Sequence, residues 1–478
     1  MDTTTNEMNR VLKLQKQLNI TEGAPSAALR LDRLDRCIAM VTAYKKEIVQ
    51  SMQDDFGNRD PVMSSVTEVD SVIGPMVHAK KSLKKWMKPE KRKASLGIPG
   101  TGAFLFFTGA KALINYQPKG VVGVISPWNF PVNLALAPLA GIIAAGNRVM
   151  LKPSELTPSS SDLMKKMINE YFDESEIAVF TGDPEVGASF SALAFDHMVF
   201  TGGTAIAKHV MRAAAENLVP LTLELGGKSP VVVGKNSNIE DVAKRVMQGK
   251  TMNAGQICLA PDYALVPEEK LNEFVEAAVS VTSEMYPEMK ENSDYTSIIN
   301  QKHYDRIQGY LEDAKQKGAK VVEINPAEED FSQQQHHKIP PTIVLNPTDD
   351  MQIMQEEIFG PVLPVKTYSK VSETVDYINS KDRPLGLYYF GKDTKEQDYV
   401  INSTTSGGVT VNDVISHIQM EDLPFGGVGP SGMGSYHGHD GFKEFSHAKS
   451  TYTQSRFNLM SIAGLVPPYK KKEEKPSA

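Results

Sequence analysis

The sequence predicts an α/β protein whose first half is a doubly wound parallel sheet and whose second half is a further α/β unit. Three observations carry that prediction. Between Gly120 and Gly227, short apolar runs and helical lengths follow one another in strand–helix order. The runs are near-continuously apolar, the pattern of strands buried on both faces. Finally, 478 residues correspond to about three packing units at roughly 150 residues each, enough for more than one core.

The elements follow in order. Leu31, Leu34, Ile38, Val41 and Ile48 make a helical stripe over residues 26–50. Cys37 lies beside it and reads as a packed small hydrophobe. Eight basic residues fall between Lys80 and Lys93, around Trp86, and a solvated helix end accounts for them better than a phosphate or lipid patch. Residues 97–116 read as an inserted hairpin. Strands are expected at 121–126, 148–152, 177–181, 197–201 and 221–225, with helices at 132–145, 157–170, 185–192 and 204–216 between them. Pro131, Asn133, Pro138 and Asn147 interrupt the most apolar stretch, which excludes a membrane span there. The second unit, at 229–411, carries helical patterns near 239–250, 267–286, 301–317 and 371–380. The glycine-rich passage 425–434 reads as a loop, and 449–454 as a late strand.

Composition narrows the function classes. With 41% apolar and 23% charged residues, whole-chain disorder, collagen and coiled coil are excluded. A net charge of −7 is the wrong sign for a dedicated nucleic-acid binder. Two cysteines make no disulfide framework and fit a reducing compartment. Residues 1–10 are polar, without the apolar core of a signal peptide, so a cytoplasmic protein is expected, with no membrane and no nucleic-acid partner.

Ligands on doubly wound sheets bind at the carboxyl ends of the strands, so those segments are where chemistry is sought. After the first strand, Asn129 reads either as a helix cap or as an amide donor to an oxygen. Lys152 and Glu155 follow the second, as a capped turn or as a cation and acid for phosphate and ribose. Gly202, Gly203 and Thr204 follow the fourth and open a helix, where small residues let an anion approach unpaired N–H groups. Glu224 ends an apolar strand. It is either half of a structural ion pair or a base whose pKa burial raises. Cys258 sits in a glycine- and glutamine-bearing turn that could expose a thiol, although most free cysteines are inert. His437 and His439 form a weak metal fragment with no partner set, so loop packing is expected and no metal.

Taken together, Pro127-Trp128-Asn129-Phe130-Pro131, Lys152-Pro153-Ser154-Glu155, Phe200-Thr201-Gly202, Leu223-Glu224-Leu225-Gly226-Gly227-Lys228, Gly255-Gln256-Ile257-Cys258 and Glu356-Glu357-Ile358-Phe359-Gly360-Pro361 resemble the motif series of the aldehyde dehydrogenase superfamily. They match in order, type and spacing over about residues 70–455. The 260–263 and 432–438 segments resemble its class 3 branch, and 102–109 resembles coniferyl aldehyde dehydrogenase-like members.

The resemblance implies a cofactor domain at 1–96 and 117–227 and a catalytic domain at 228–412. It also implies a small β oligomerisation arm with bridging loops at 97–116 and 413–460, a flexible tail at 461–478, and a homodimer. It implies that Cys258 attacks the aldehyde, that Asn129 and the Cys258 N–H hold the oxyanion, and that Glu224 activates the hydrolytic water. Lys152 and Glu155 would grip the adenosine ribose, Gly202, Gly203 and Thr204 the pyrophosphate with Trp128 nearby, and Glu357 and Phe359 the nicotinamide end. Ala207, where many members have glycine, is expected to shift the pyrophosphate slightly. NAD is expected as cofactor with NADP tolerated, because Glu155 repels a 2′-phosphate that Lys152 attracts. The expected substrate is an apolar, aromatic aldehyde of coniferyl type. The rival reading, a CoA-acylating relative on the same scaffold, is disfavoured by Glu224.

Overall fold

A computed structural model of the chain describes residues 3–95, 105, 107–462 and 466–468. Three sheets organise them. The first runs in spatial order Gly432–Met433, Leu221–Glu224, His197–Thr201, Val121–Ile125, Arg148–Lys152, Ile177–Val179. Its five longer strands are parallel. The chain enters at the central strand Val121–Ile125, builds outward to Ile177–Val179, then crosses back to His197–Thr201 on the other side. That reversal opens a crevice between the carboxyl ends of Val121–Ile125 and His197–Thr201. Arg148–Lys152 and His197–Thr201 are buried at every position, as their apolar runs require.

The second sheet has seven strands, in order Lys320–Glu323, Thr342–Leu345, Val362–Tyr368, Tyr263–Pro267, Pro230–Val233, Gly386–Phe390, Gly408–Val411. All pairs but the first are parallel. This unit is therefore more regular than its sequence reads. Its apolar strands are separated by irregular segments that mask the strand–helix rhythm. The third sheet is antiparallel: Glu90–Arg92, Lys111–Pro118 and Ser446–Thr453.

The hairpin predicted at 97–116 starts upstream, since Lys111–Pro118 pairs with Glu90–Arg92; residues 97–104 of that prediction lie outside the described residues. The late strand begins at Ser446 and pairs with Lys111–Pro118 of the same chain, leaving its other edge unpaired among the described residues. The glycine-rich passage is not all loop. Gly432–Met433 adds a short antiparallel strand to the first sheet, and a Cβ at Gly432 would strike the Leu223 carbonyl, which is why glycine stands there. The predicted 26–50 helix is two, Ala27–Ala43 and Lys45–Phe56, joined at Tyr44. The 132–145 helix breaks at Pro138 into Asn133–Leu136 and Leu139–Ala145. The 461–478 tail lies mostly outside the described residues.

The helix Thr3–Glu22 was not expected, because only Met8, Val11, Leu12 and Gln15 of it are buried. It is anchored by a polar contact: Gln15 Nε2 donates to the Val149 and Glu174 carbonyls at 3.1 and 2.7 Å. Cys37 is buried in the core, and burial pushes its thiol up to about 12. The Lys80–Lys93 cations are on the surface around the end of the helix Ser71–Trp86. Trp86 turns inward and stacks on His439 at 5.7 Å. Ala207 is packed between its helix and the first sheet, so its methyl does not face the crevice.

Candidate active site

A cavity of about 760 Å³ fills the crevice of the first sheet and reaches the second. Trp128, Asn129, Gly202, Gly203, Thr204, Glu224, Cys258, Glu357 and Phe359 all line it. Nine predicted residues from five separate segments thus converge on one space. Lys152 and Glu155 do not line it. They sit at the end of Arg148–Lys152, where Lys152 pairs with Ile125, and Ile125 in turn with Phe200. At about 4.8 Å per strand, they lie on the order of 10 Å along the sheet edge from the Gly202 turn. Lys152 is buried and its Nζ bonds Glu155 Oε2 at 2.7 Å.

Cys258 follows a turn whose backbone is under strain. Asn253, Ala254 and Gly255 have φ of 49°, 51° and 73°, three consecutive left-handed residues, two of them with a Cβ. A Cβ at Gly255 would strike the Gly360 carbonyl. The buried Gln256 side chain holds this turn in place. Its Nε2 donates to the Asn253 and Ser297 carbonyls, both at 3.0 Å, and its Oε1 accepts from the Ile299 N–H at 3.0 Å. The Asn129 Nδ2 donates to the Gln256 carbonyl at 3.0 Å, so the amide and the cysteine turn are fixed to each other.

The electrostatics single out the same residues. Glu224 is buried, and neither oxygen has a partner at ordinary hydrogen-bond distance; burial raises its carboxyl to about 8, opposed by the neighbouring Cys258 thiol and reinforced by the charge of Glu357. Burial and then Asp262 raise Glu357 likewise to about 8. The Cys258 thiol is pushed well above its ordinary value by burial and by the charges of Glu224 and Glu357, while its own backbone N–H opposes the shift. Ser126 Oγ and Thr201 Oγ1, on adjacent strand ends, are also buried without partners. Orphaned polar atoms at one strand edge are what a site made for a ligand and water leaves.

The crevice fits an extended dinucleotide on its own geometry. The helix Thr204–Ala215 begins at Gly203 with no side-chain cap, so its first N–H groups are free for an anion. A Cβ on Gly203 would meet nothing within 4 Å, an open face at that turn. Phe359, held at φ 47°, packs edge-on to Trp128 at 5.4 Å. Arg306 pins that backbone by donating to the Ile358 carbonyl at 2.8 Å.

The aldehyde dehydrogenase family model matches residues 15–451. The chain belongs to the aldehyde dehydrogenase family. It is 59% identical over 462 residues to a probable coniferyl aldehyde dehydrogenase of Caulobacter vibrioides, covering 97% of this chain and 94% of that protein. It is 51% identical over 461 residues to the coniferyl aldehyde dehydrogenase of Pseudomonas sp. strain HR199, covering 96% and 94%. Among solved structures, the substrate-bound state of Staphylococcus aureus AldH superposes with a TM-score of 0.87 at 37% identity, covering 94% of each chain.

In this aldehyde dehydrogenase a supporting layer escaped the sequence reading. Arg59, 2% exposed, donates to the Asn129 carbonyl at 2.9 Å and pairs with the buried Glu68 at 2.7 Å. Glu68 in turn accepts from the Val132 and Asn133 N–H groups. Asn253 Nδ2 donates to the same Asn129 carbonyl at 3.2 Å. His303 packs on Trp128 at 4.9 Å and also lines the cavity. These are single residues far apart in the chain, with no local motif to betray them. The histidines 437 and 439 are engaged in ring packing, His437 with Phe425 at 5.1 Å and His439 with Trp86. No group of three or more potential metal ligands occurs among the described residues, nor any helix long and apolar enough to cross a membrane.

Proposed function

We propose that the protein oxidises an aromatic aldehyde of coniferyl type to its carboxylic acid, with NAD preferred and NADP tolerated. The observation that carries the reading is Cys258 on a strained turn facing the same cavity as the unpartnered Glu224, with Asn129 fastened to that turn. The coniferyl aldehyde dehydrogenases among its relatives support the substrate class.

Cys258 adds through its sulfur to the aldehyde carbon, its thiol proton passing to solvent as the C–S bond of the thiohemiacetal forms. The Asn129 amide, one N–H of which is given to Gln256, offers its other to the developing oxyanion together with the Cys258 N–H. A nicotinamide dinucleotide, when bound in the crevice, would supply the acceptor for the hydride that leaves the Cys258-bound carbon as the thioester forms. Glu224 then takes a proton from water as the oxygen adds to the thioester carbon. The C–S bond breaks, Cys258 leaves as thiolate, and the acid is released. Gly202, Gly203 and Thr204 would hold the pyrophosphate, Glu357 and Phe359 the nicotinamide end beside Trp128, and Lys152 and Glu155 the adenosine ribose.

The test is dinucleotide reduction by the purified protein with a panel of aldehydes, with and without coenzyme A. Reduction with coniferyl-type aldehydes and no need for the thiol cofactor is expected, and strict coenzyme A dependence would refute hydrolysis by Glu224. Asn129→Ala is expected to lower kcat about 10²–10³-fold with a smaller change in KM, as when an oxyanion donor is removed. An equal loss in a variant of the neighbouring Phe130 would show that only loop geometry matters. Family members use NAD or NADP. For this chain kcat/KM with NAD is expected to exceed that with NADP, and Glu155→Gln to narrow the ratio by removing charge repulsion; a ratio unmoved by the substitution refutes the role of Glu155.

We propose further that the first sheet, within 1–96 and 117–227, is the cofactor domain and that 228–412 is the catalytic domain. The 97–116 and 413–460 segments contribute an oligomerisation arm, with the remaining 461–478 as tail. The unpaired edge of Ser446–Thr453 supports a homodimer, because an exposed strand edge invites another strand. A solution mass of one chain at micromolar concentration would refute it. A cytoplasmic location fits the absence of a membrane helix among the described residues.

A further inference from the structure

Carboxylates that this fold uses structurally are satisfied. Glu68 is buried but bonds Arg59 and two backbone N–H groups, and Glu176 is held by Arg33 and Arg36. Among the described residues, buried carboxyl oxygens without a partner belong to three side chains: Glu224, Glu357 and Glu421. The first two face the large cavity. Glu421 does not.

Glu421 lines a separate small pocket with Ala79, Ala137, Ala140, Tyr436 and His437. Its free volume of about 10 Å³ suits one water-sized group. His437 Nδ1 is also buried without a partner. Burial lifts Glu421 to about 7 and holds His437 down near 4, so the imidazole is neutral and the two do not form an ion pair. The pocket therefore presents a carboxyl group, ionised and acceptor-only above about pH 7, and a neutral ring nitrogen, which donates or accepts according to its tautomer. A hydroxyl, donor and acceptor at once, matches both.

The pocket is close to the reacting centre. Leu134 lines the large cavity and Ala137 the small pocket, so one turn of the helix Asn133–Leu136 separates them. Tyr436, which lines the small pocket, is buried, and burial together with the charges of Glu224, Cys258 and Glu421 raises its phenol. Phe425 stands edge-on to Tyr436 at 5.9 Å and 5.1 Å from His437, giving the surroundings the aromatic character a flat ring prefers.

We propose that Glu421 and His437 form a polar subsite for the phenolic hydroxyl at the far end of an aryl aldehyde whose carbonyl is held at Cys258. The inference rests on the aryl-aldehyde reading above. It makes Glu421 a specificity-determining residue that sets which aldehydes are preferred and takes no part in the bond-making steps. A hydrogen bond from a phenol to a carboxylate is charge-assisted, and a substrate lacking the hydroxyl leaves the buried Glu421 Oε2 and His437 Nδ1 unpaired.

The experiment compares kcat/KM for 4-hydroxycinnamaldehyde and for cinnamaldehyde, which differ only in that hydroxyl. Wild-type enzyme is expected to prefer the hydroxylated aldehyde about 10- to 100-fold, the range of one charge-assisted hydrogen bond. Glu421→Gln is expected to shrink that ratio at least about threefold and Glu421→Ala to bring it near one, with the change falling on KM. A loss of folding depresses both substrates alike and leaves the ratio where it was, so the ratio separates recognition from structure. Should the alanine variant be insoluble, Glu421→Asp, which withdraws the carboxyl by one methylene, is read by the same ratio. A wild-type ratio near one, or a ratio unchanged in the variants, overturns the subsite. A wild-type enzyme that oxidises neither aldehyde removes the aryl-aldehyde reading together with the subsite.

Discussion

Cys258→Ala is expected to abolish aldehyde-dependent NADH formation, by about 10⁵–10⁶ in kcat, the scale seen when a covalent nucleophile is removed. No other thiol can substitute. The chain has one other cysteine, Cys37, fully packed in the core with its thiol pushed up to about 12. The loss should not reflect misfolding, because Cys258 borders the cavity and its turn is held by Gln256, whose bonds the substitution leaves in place. Melting temperature and dinucleotide binding, followed by fluorescence quenching, should therefore stay close to wild type. Cys37→Ala provides the opposite case. It opens a small void in the core and costs about 1–2 kcal/mol of stability, while turnover per folded molecule is retained. If Cys258→Ala kept measurable steady turnover, the covalent route would have to be abandoned.

The two thiols also show how much of the site was legible in the sequence. Cys258 could be picked out because small residues precede it, and left-handed backbone tolerates few others. Gly255 is one of those residues, at φ 73°. The sequence could not show that Asn253 and Ala254 share that conformation, since neither residue type demands it. The first sheet was readable because strands buried on both faces must be apolar throughout. The second is built from equally apolar strands, yet long irregular joins such as 324–341 hid their rhythm. The site residues sit at strand ends, where each motif is local and continuous. Arg59, Glu68 and Gln256 act instead through backbone carbonyls and N–H groups tens of residues away, and such partners leave no mark on the local sequence. Glu421 leaves no signal for a related reason: an acid beside Asp422 in a polar turn reads as solvated, and only the fold buries its Oε2.

Glu224→Gln should separate the two halves of the reaction. The amide cannot take a proton from water, so one equivalent of NADH per site should form rapidly and the steady rate then fall about 10²–10⁴-fold, the usual contribution of a general base. With wild-type enzyme, any deacylation-limited rate should rise with pH as the carboxyl ionises through about 8, and that limb should vanish in the variant. Stability supplies an independent check of the same ionisation. In the unfolded chain the carboxyl titrates near about 4.3. The folded protein therefore binds more protons at this site than the unfolded chain between that value and about 8, and stability falls as pH rises across the window. The substitution removes the buried charge. The melting temperature of Glu224→Gln relative to wild type should consequently increase from pH 5 to pH 8 and level off above it. Glu357, raised to about 8 as well, remains in both proteins, so the difference reports the ionisation of Glu224 together with its charge coupling to Glu357. Steady turnover at the wild-type rate would take the base role from Glu224. A flat stability difference across the window would mean that its carboxyl is ionised in the folded protein well below pH 8, leaving a weaker base than the buried geometry implies.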